Sequence, residues 1–262
     1  MVPNPYPGKF IVLEGVDGSG KTTQTELLVN HIRNDGLAVL KTKEPTADGI
    51  FGKLVRFIYT CESRYGGLPT ELEKCINAPT YQLIREMSEE AAQRRLKEFE
   101  DIAVELKQAN HNRLPRLLQL GMTFDGHDHM VREIIPALGQ GINVISDRWR
   151  FSTPAYAAAD GMRWRDFWIL QEEILKGTLI KPDLVLFLEI PVRVGLERSL
   201  AKQGGRTEYF DTAERMDKIQ KAYRDLFFGL SLESLLVQKL DGTPSPEIVH
   251  NQIWRMTEPL LT

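Results

Sequence analysis

Five short apolar runs recur along the chain, and helical patterns separate them. Phe10–Glu14 is apolar at every position but its last, and a run without alternation predicts a strand buried on both faces. Lys21–Asn34 follows with Leu27, Leu28 and Ile32 on one helical face, and Asp35-Gly36 supplies the stop. A second strand is predicted over Leu37–Lys43, ending at Glu44-Pro45, and a third over Ile142–Ser146, ending at Asp147-Arg148. Lys181-Pro182 introduces a fourth over Asp183–Glu189, which Pro191 stops. Leu235–Leu240 is the fifth, after which Pro244-Ser-Pro246 opens a closing helix that Pro259 should terminate. Strands alternating with helices imply right-handed crossovers and an α/β fold, a parallel five-stranded sheet with helices on both faces. Ligands of such sheets bind beyond the carboxyl ends of the strands. Gly15–Thr22, Glu44 and Asp147-Arg148 all fall there.

The long stretch between Pro45 and Ile142 has another character. Gln82–Gln108 is rich in Glu, Arg, Lys, Gln and Ala, with Leu83, Met87, Ala91, Leu96, Phe99 and Ile102 at roughly helical spacing. Opposite charges interleave at i,i+3 and i,i+4, the pattern of a solvated helix face. One or two helices of a protruding subdomain are therefore predicted there, within one domain spanning 1–262.

Composition narrows the function classes. With 262 residues and 42% hydrophobic content, the chain can bury a large core without staples. Its two cysteines, Cys61 and Cys75, have no metal-type or redox-type spacing, as expected of a cytoplasmic protein. Met1–Gly8 has no apolar signal region and reads as a short leader; no apolar run approaches membrane-spanning length. A net charge of −3 and a pI near 6.0 leave no footprint for polymeric nucleic acid and suit small anions held by local arginines.

The first strand runs straight into Gly15-x-x-x-x-Gly20-Lys21-Thr22, a complete phosphate loop. Its glycines let successive N–H groups of Gly15, Gly18, Ser19, Gly20 and Thr23 point inward, Lys21 reaches the outer phosphates, and Thr22 is placed to ligate Mg²⁺. The helix that starts at once adds a positive dipole end. Asp147, at the end of a neighbouring strand, is the usual second holder of a Mg²⁺–triphosphate, and Arg148 can fork onto a phosphate. ATP with Mg²⁺ is the expected ligand pair.

These pieces, taken in order, resemble the thymidylate kinases, nucleoside monophosphate kinases with the P-loop NTPase fold. The resemblance is carried by Phe10–Gln24 with Asp17 in the loop, Lys43-Glu44-Pro45, Asp147-Arg148-Trp149 with Ser152-Thr153 and Ala155-Tyr156, and Lys181-Pro182-Asp183 before a strand. It implies transfer of the ATP γ-phosphoryl group to dTMP, giving dTDP. By the same resemblance Lys21, Thr22 and the loop hold ATP, Asp17 lies beside the acceptor sugar, and Arg148 clamps the acceptor phosphate. Tyr156 packs on the 2′ carbon and disfavours ribose, Glu44 lines the acceptor side, and Asp147 organises the metal. The family's mobile lid maps to 197–212, where Arg206 and Arg198 would close on the transferring phosphate and Gly204-Gly205 supply a hinge. Gly18-Ser19 stands where some members carry a loop arginine, so this chain depends on its lid. A homodimer through core helices is implied by family alone.

Departures cluster on base recognition. The family's Phe-x-x-x-Arg, which stacks on and hydrogen-bonds the thymine ring, has no counterpart in Leu117–Met130, which holds no arginine in the expected place. Trp149, Ala157 and Lys43 replace the family's Tyr, Gln and Arg. Phe124 could stack on a base, and Asp125, His127, Asp128 or His129 could read its edge. A metal site at His127 and His129 is disfavoured, because i,i+2 positions of a helix face different ways. Length departs too: set against the family, the distance from Pro45 to Pro136 is roughly twice that expected, and the excess implies a helical insertion over 62–112 that reshapes the acceptor pocket. Two other readings stay open: a kinase for another nucleotide such as dCMP, dUMP or a modified one, and a nucleotide-binding switch or scaffold using residues 62–112.

Overall fold

The computed structural model describes residues 1–49, 51–53, 55, 114–175, 179–202, 212–231 and 234–261. The predicted insertion over 62–112 and lid residue Arg206 lie outside these residues.

Five parallel strands form the sheet: β1 (Phe10–Glu14), β2 (Val39–Lys43), β3 (Asn143–Asp147), β4 (Leu184–Glu189) and β5 (Val237–Asp241). Their order is β2-β3-β1-β4-β5, so β1 is central. Each begins or ends within two residues of its expected position. The helices are α1 (Lys21–Asn34), α2 (Leu114–His129), α3 (Ile135–Gly139), α4 (Ser152–Ala159), α5 (Trp164–Ile174), α6 (Val192–Lys202), α7 (Ala213–Ser231) and α8 (Pro246–Leu261). A π-helical segment, Met130–Ile134, joins α2 to α3. No helix among the described residues is long and apolar enough to cross a membrane.

The unbroken apolar character of β1 has a direct cause. Phe10 and Val12 point into one core, Ile11 and Leu13 into the other, and all four are fully buried. Each such side chain contributes about 1.5–3 kcal/mol of burial. The first core is aromatic: Phe10, Trp149, Phe151, Trp168, Tyr223 and Phe227 fill the space between the sheet and α4, α5 and α7. The second is aliphatic, with Leu28 and Ile32 of α1 and Val249 and Ile253 of α8 over β1 and β4. The edge strands β2 and β5 are only partly buried.

One expectation is corrected. Helix α8 does not stop at Pro259 but runs through it to Leu261; a proline removes one backbone donor, and in a final turn little helix is left to break. The first residues, expected as a short leader into β1, are hydrogen-bonded to the segment before β4. Val2 exchanges backbone hydrogen bonds with Leu179 and Lys181, and Asp183 accepts from the Asn4 side chain and the Phe10 N–H, both at 2.8 Å. Asp183 thus fastens the amino-terminal segment to the start of β4.

Candidate functional site

The register of the sheet builds the site. Leu13 pairs with Asp147, so the loop after β1 and the residues after β3 leave the sheet side by side. In the loop after β1, Gly18 has φ +75°, and a Cβ there would fall 2.3 Å from the carbonyl oxygen of Gly195 on α6. Only glycine permits both the left-handed turn and that approach. Gly20, also left-handed, precedes α1, which has no side-chain cap and no acidic residue in its first turn. The free N–H groups of that turn therefore present a positive end to the cleft.

Lys21 lies back over the loop, its Nζ donating to the carbonyl of Val16 at 2.8 Å and to Ser19 Oγ at 3.3 Å. Burial, aided by the charge of Arg148, pulls its pKa down to about 8, against the opposing pull of Asp17, Asp147 and Glu14. A lysine whose charge is this poorly supported gains by meeting an anion. The Thr22 hydroxyl donates to Asp147 Oδ2 at 2.7 Å. This hydroxyl–carboxylate pair is the hard-oxygen donor class that Mg²⁺ takes. Among the described residues no group of three or more His, Cys, Asp or Glu is placed to hold a metal by itself.

Arg148 has φ +76°, rare for a non-glycine residue. The strain is held by its N–H bonding to Leu13 O and by the Ser146 hydroxyl donating to its carbonyl at 2.6 Å. Its guanidinium donates to Asp17 Oδ1 at 2.5 Å and lies 5.4 Å from the centre of the Tyr156 ring, while the Tyr156 hydroxyl donates to Asp17 Oδ2 at 3.0 Å. Burial works against ionisation of Asp17, but Arg148 and Lys21 outweigh it and hold the carboxyl below its usual range. The loop, Asp147 and Arg148 line one cleft of about 700 Å³ together with Arg198, Lys202 and Pro244. That volume is in the range of small-molecule sites. Arg198 currently donates to the carbonyls of Gly242 at 2.8 Å and Thr243 at 3.0 Å, on the turn between β5 and α8.

Beneath the cleft lies Glu14, which sequence reasoning passed over. Its carboxylate accepts from Trp149 N–H at 2.8 Å, Ser152 Oγ at 2.9 Å and Tyr223 Oη at 2.8 Å. Complete burial nevertheless raises its pKa to about 7.

The residues expected on the acceptor side sit in a second, drier constellation. Glu44 is buried, with one carboxylate oxygen paired to Arg150 and the other 3.1 Å from His129 Nδ1. Burial alone would raise its pKa, yet Arg150 and His129 hold it below the usual carboxylate range. His129 Nε2 meets the Thr42 hydroxyl. Asp125 accepts from the Thr46 N–H at 2.8 Å and from its hydroxyl at 2.5 Å. Of the residues expected to face a base, Asp125 and His129 are thus turned into the protein and Asp128 pairs with Arg132 at 2.8 Å. Phe124 stays 41% exposed, its ring 5.4 Å from that of Phe51. Arg150 was missed, and its only sequence signal was a second arginine two places after Arg148, set between Trp149 and Phe151.

Comparison with known proteins decides the family. A family model described as thymidylate kinase matches residues 13–95 and 80–253. The chain belongs to the thymidylate kinase family. It is 30% identical over 237 residues to a thymidylate kinase of Desulfotalea psychrophila, covering 90% of each chain. A probable thymidylate kinase of Pyrococcus horikoshii is 32% identical over 219 residues, 84% of this chain and 82% of that one. A thymidylate kinase of Bradyrhizobium sp. is 28% identical over 252 residues, 95% of this chain and 89% of the relative. Membership accounts for the P-loop, the parallel sheet and the phosphotransferase chemistry of an ATP-dependent kinase.

Proposed function

We propose that this chain transfers the γ-phosphoryl group of ATP to the 5′-phosphate of dTMP, giving ADP and dTDP. The observation that carries the reading is the meeting of the Lys21–Thr22–Asp147 group and the Arg148–Asp17 pair in a single cleft, with Tyr156 bonded to Asp17. Donor and acceptor phosphates would lie between them. The loop amides and Lys21 hold the donor phosphates, and Thr22 with Asp147 would hold Mg²⁺. When bound, that ion neutralises the phosphate oxygens of the donor. Arg148 releases one arm from Asp17 to fork onto the acceptor phosphate, and Asp17 and Tyr156 then face the sugar. An acceptor phosphate oxygen forms the new bond to the γ-phosphorus as the bond to the β,γ-bridging oxygen breaks. Alignment and surrounding cations supply most of the rate in such transfers. Arg198 and Lys202, at the mouth of the cleft, add positive charge on the donor side, and Arg206 in the lid would complete it.

The test is ADP release with MgATP and a panel of dTMP, dUMP and dCMP. Turnover should be greatest with dTMP and should stop when Mg²⁺ is chelated. Phosphorylation of dCMP or dUMP with none of dTMP would reject the acceptor assignment, and ATP binding with no acceptor turned over would reject transfer itself.

A further inference from the structure

The guanidinium of Arg150 is fully buried and joins three elements at one point. Arg150 sits on the turn between β3 and α4, two residues after Arg148. It pairs with Glu44 beyond β2, and its Nη1 donates to the carbonyls of Met122 at 2.9 Å and Thr123 at 3.0 Å in α2. Gln171 of α5 holds its backbone carbonyl, and the buried rings of Trp149 and Phe151 anchor the turn on either side. The end of β2, the middle of α2 and the turn carrying Arg148 therefore share one charged fork. A planar group with five donors can serve a carboxylate and two carbonyls at once; a lysine ammonium cannot match that geometry.

Helix α2 is shaped to receive it. Gly126 lies one turn beyond Met122, and a Cβ built there would stand 1.6 Å from Arg150 Cζ and Nη2 and 2.1 Å from Nη1. Gly126 has no left-handed φ that would call for glycine. Glycine weakens a helix interior, so space is the physical reason for it here. The carbonyls that Arg150 grips belong to the turn that also carries Phe124, the exposed ring of this face. Asp125, next in line, is tied to Thr46 just beyond Glu44.

We propose that Arg150 is a positioning residue for acceptor recognition, setting the span between the phosphate clamp at Arg148 and the base-facing surface at Phe124. A nucleoside monophosphate is a ligand of fixed length, with phosphate at one end and base at the other. A group that fixes the separation of two distant recognition points selects for that length. Arg150 does this without touching the acceptor, and Gly126 is its counterpart, the vacancy without which the fork could not reach the carbonyls of α2. This rests on the kinase reading above, with Arg148 at the acceptor phosphate.

The experiment compares Arg150→Lys, Gly126→Ala and the double variant with the wild-type chain, reading KM for dTMP, KM for ATP, the dTMP:dUMP:dCMP preference and thermal unfolding. Arg150→Lys keeps the charge but loses the fork; Gly126→Ala keeps Arg150 and displaces it. Each should raise KM for dTMP about tenfold and flatten the acceptor preference, with KM for ATP unchanged within about twofold. The double variant should cost little more than Arg150→Lys alone, because a lysine stem can withdraw from the added methyl group. Lowered thermal stability with KM for dTMP and acceptor preference unchanged in the variants that fold would overturn the positioning role. So would equal losses for ATP and dTMP. If the wild-type chain turns over a different nucleoside monophosphate, the dTMP assignment fails, while the same KM split measured on that acceptor still decides the role of Arg150.

Discussion

The phosphate-loop cleft and the buried network around Glu44 are built by different physics. In the cleft, the loop groups lie within a few residues of one another: glycines with positive φ, uncapped amides at a helix start, and one lysine folded back on its own loop. In the network, the defining contacts join residues far apart in sequence, Glu44 to Arg150 across 106 positions, His129 to Glu44 across 85 and Thr46 to Asp125 across 79. The first is a backbone device open to water, whose charges wait for a ligand. The second is a dry network whose charges already satisfy one another. The cleft should therefore fail in function when altered, and the network in stability as well.

That contrast can be broken at several points. The largest expected effect is Glu44→Ala, which strands the buried charge of Arg150. A loss of about 3–5 kcal/mol is expected in denaturant unfolding, and a loss under about 1 kcal/mol would mean that the network is not paired as described. Lys21→Ala should cut kcat/KM about 10²–10³-fold, the scale of removing one preorganised donor, with unfolding nearly unchanged because a poorly supported buried charge is removed. A matching stability loss in both variants would erase the distinction between cleft and network. Arg148→Ala should raise KM for the acceptor while ATP affinity, followed by equilibrium titration, stays near that of the wild-type chain.

Glu14, buried beside Arg148, offers a pH-dependent version of the comparison. Its folded pKa, about 7, is above the ordinary 4.5. Between those values the folded chain holds a proton that the unfolded chain has lost, so Glu14 makes stability fall as pH rises from about 4.5 to about 7 and adds no further change above. Urea midpoints of the wild-type chain should therefore fall across that window relative to Glu14→Gln. Parallel curves for the two proteins would remove the assignment. Smallest of all, Tyr223→Phe keeps the packed ring and loses the hydroxyl's hydrogen bonds to Glu14 and Ser152, costing about 1–2 kcal/mol.

Much of the fold could be read along the chain, for a physical reason. A strand covered on both faces must be apolar at consecutive positions, so β1 and β4 announce themselves, and their order with α1 and α8 follows from connection rules. The edge strands, half wet, were readable in place but blurred at their ends. The cradle was legible because its chemistry is a matter of spacing. Glu14, by contrast, looked like the polar end of a strand, and Asp183 like a simple strand start. Each takes its meaning from partners that folding brings together.

Sequence by itself determined the parallel sheet, the phosphate loop and the likeness to thymidylate kinases, because hydrophobic periodicity and short motifs act through neighbours along the backbone. Only the tertiary structure decided that Asp125 and His129 face inward and that Arg150 reaches α2 through the space left by Gly126. A buried charge is tolerated only where partners from other segments surround it, and which segments those are is a property of the folded chain.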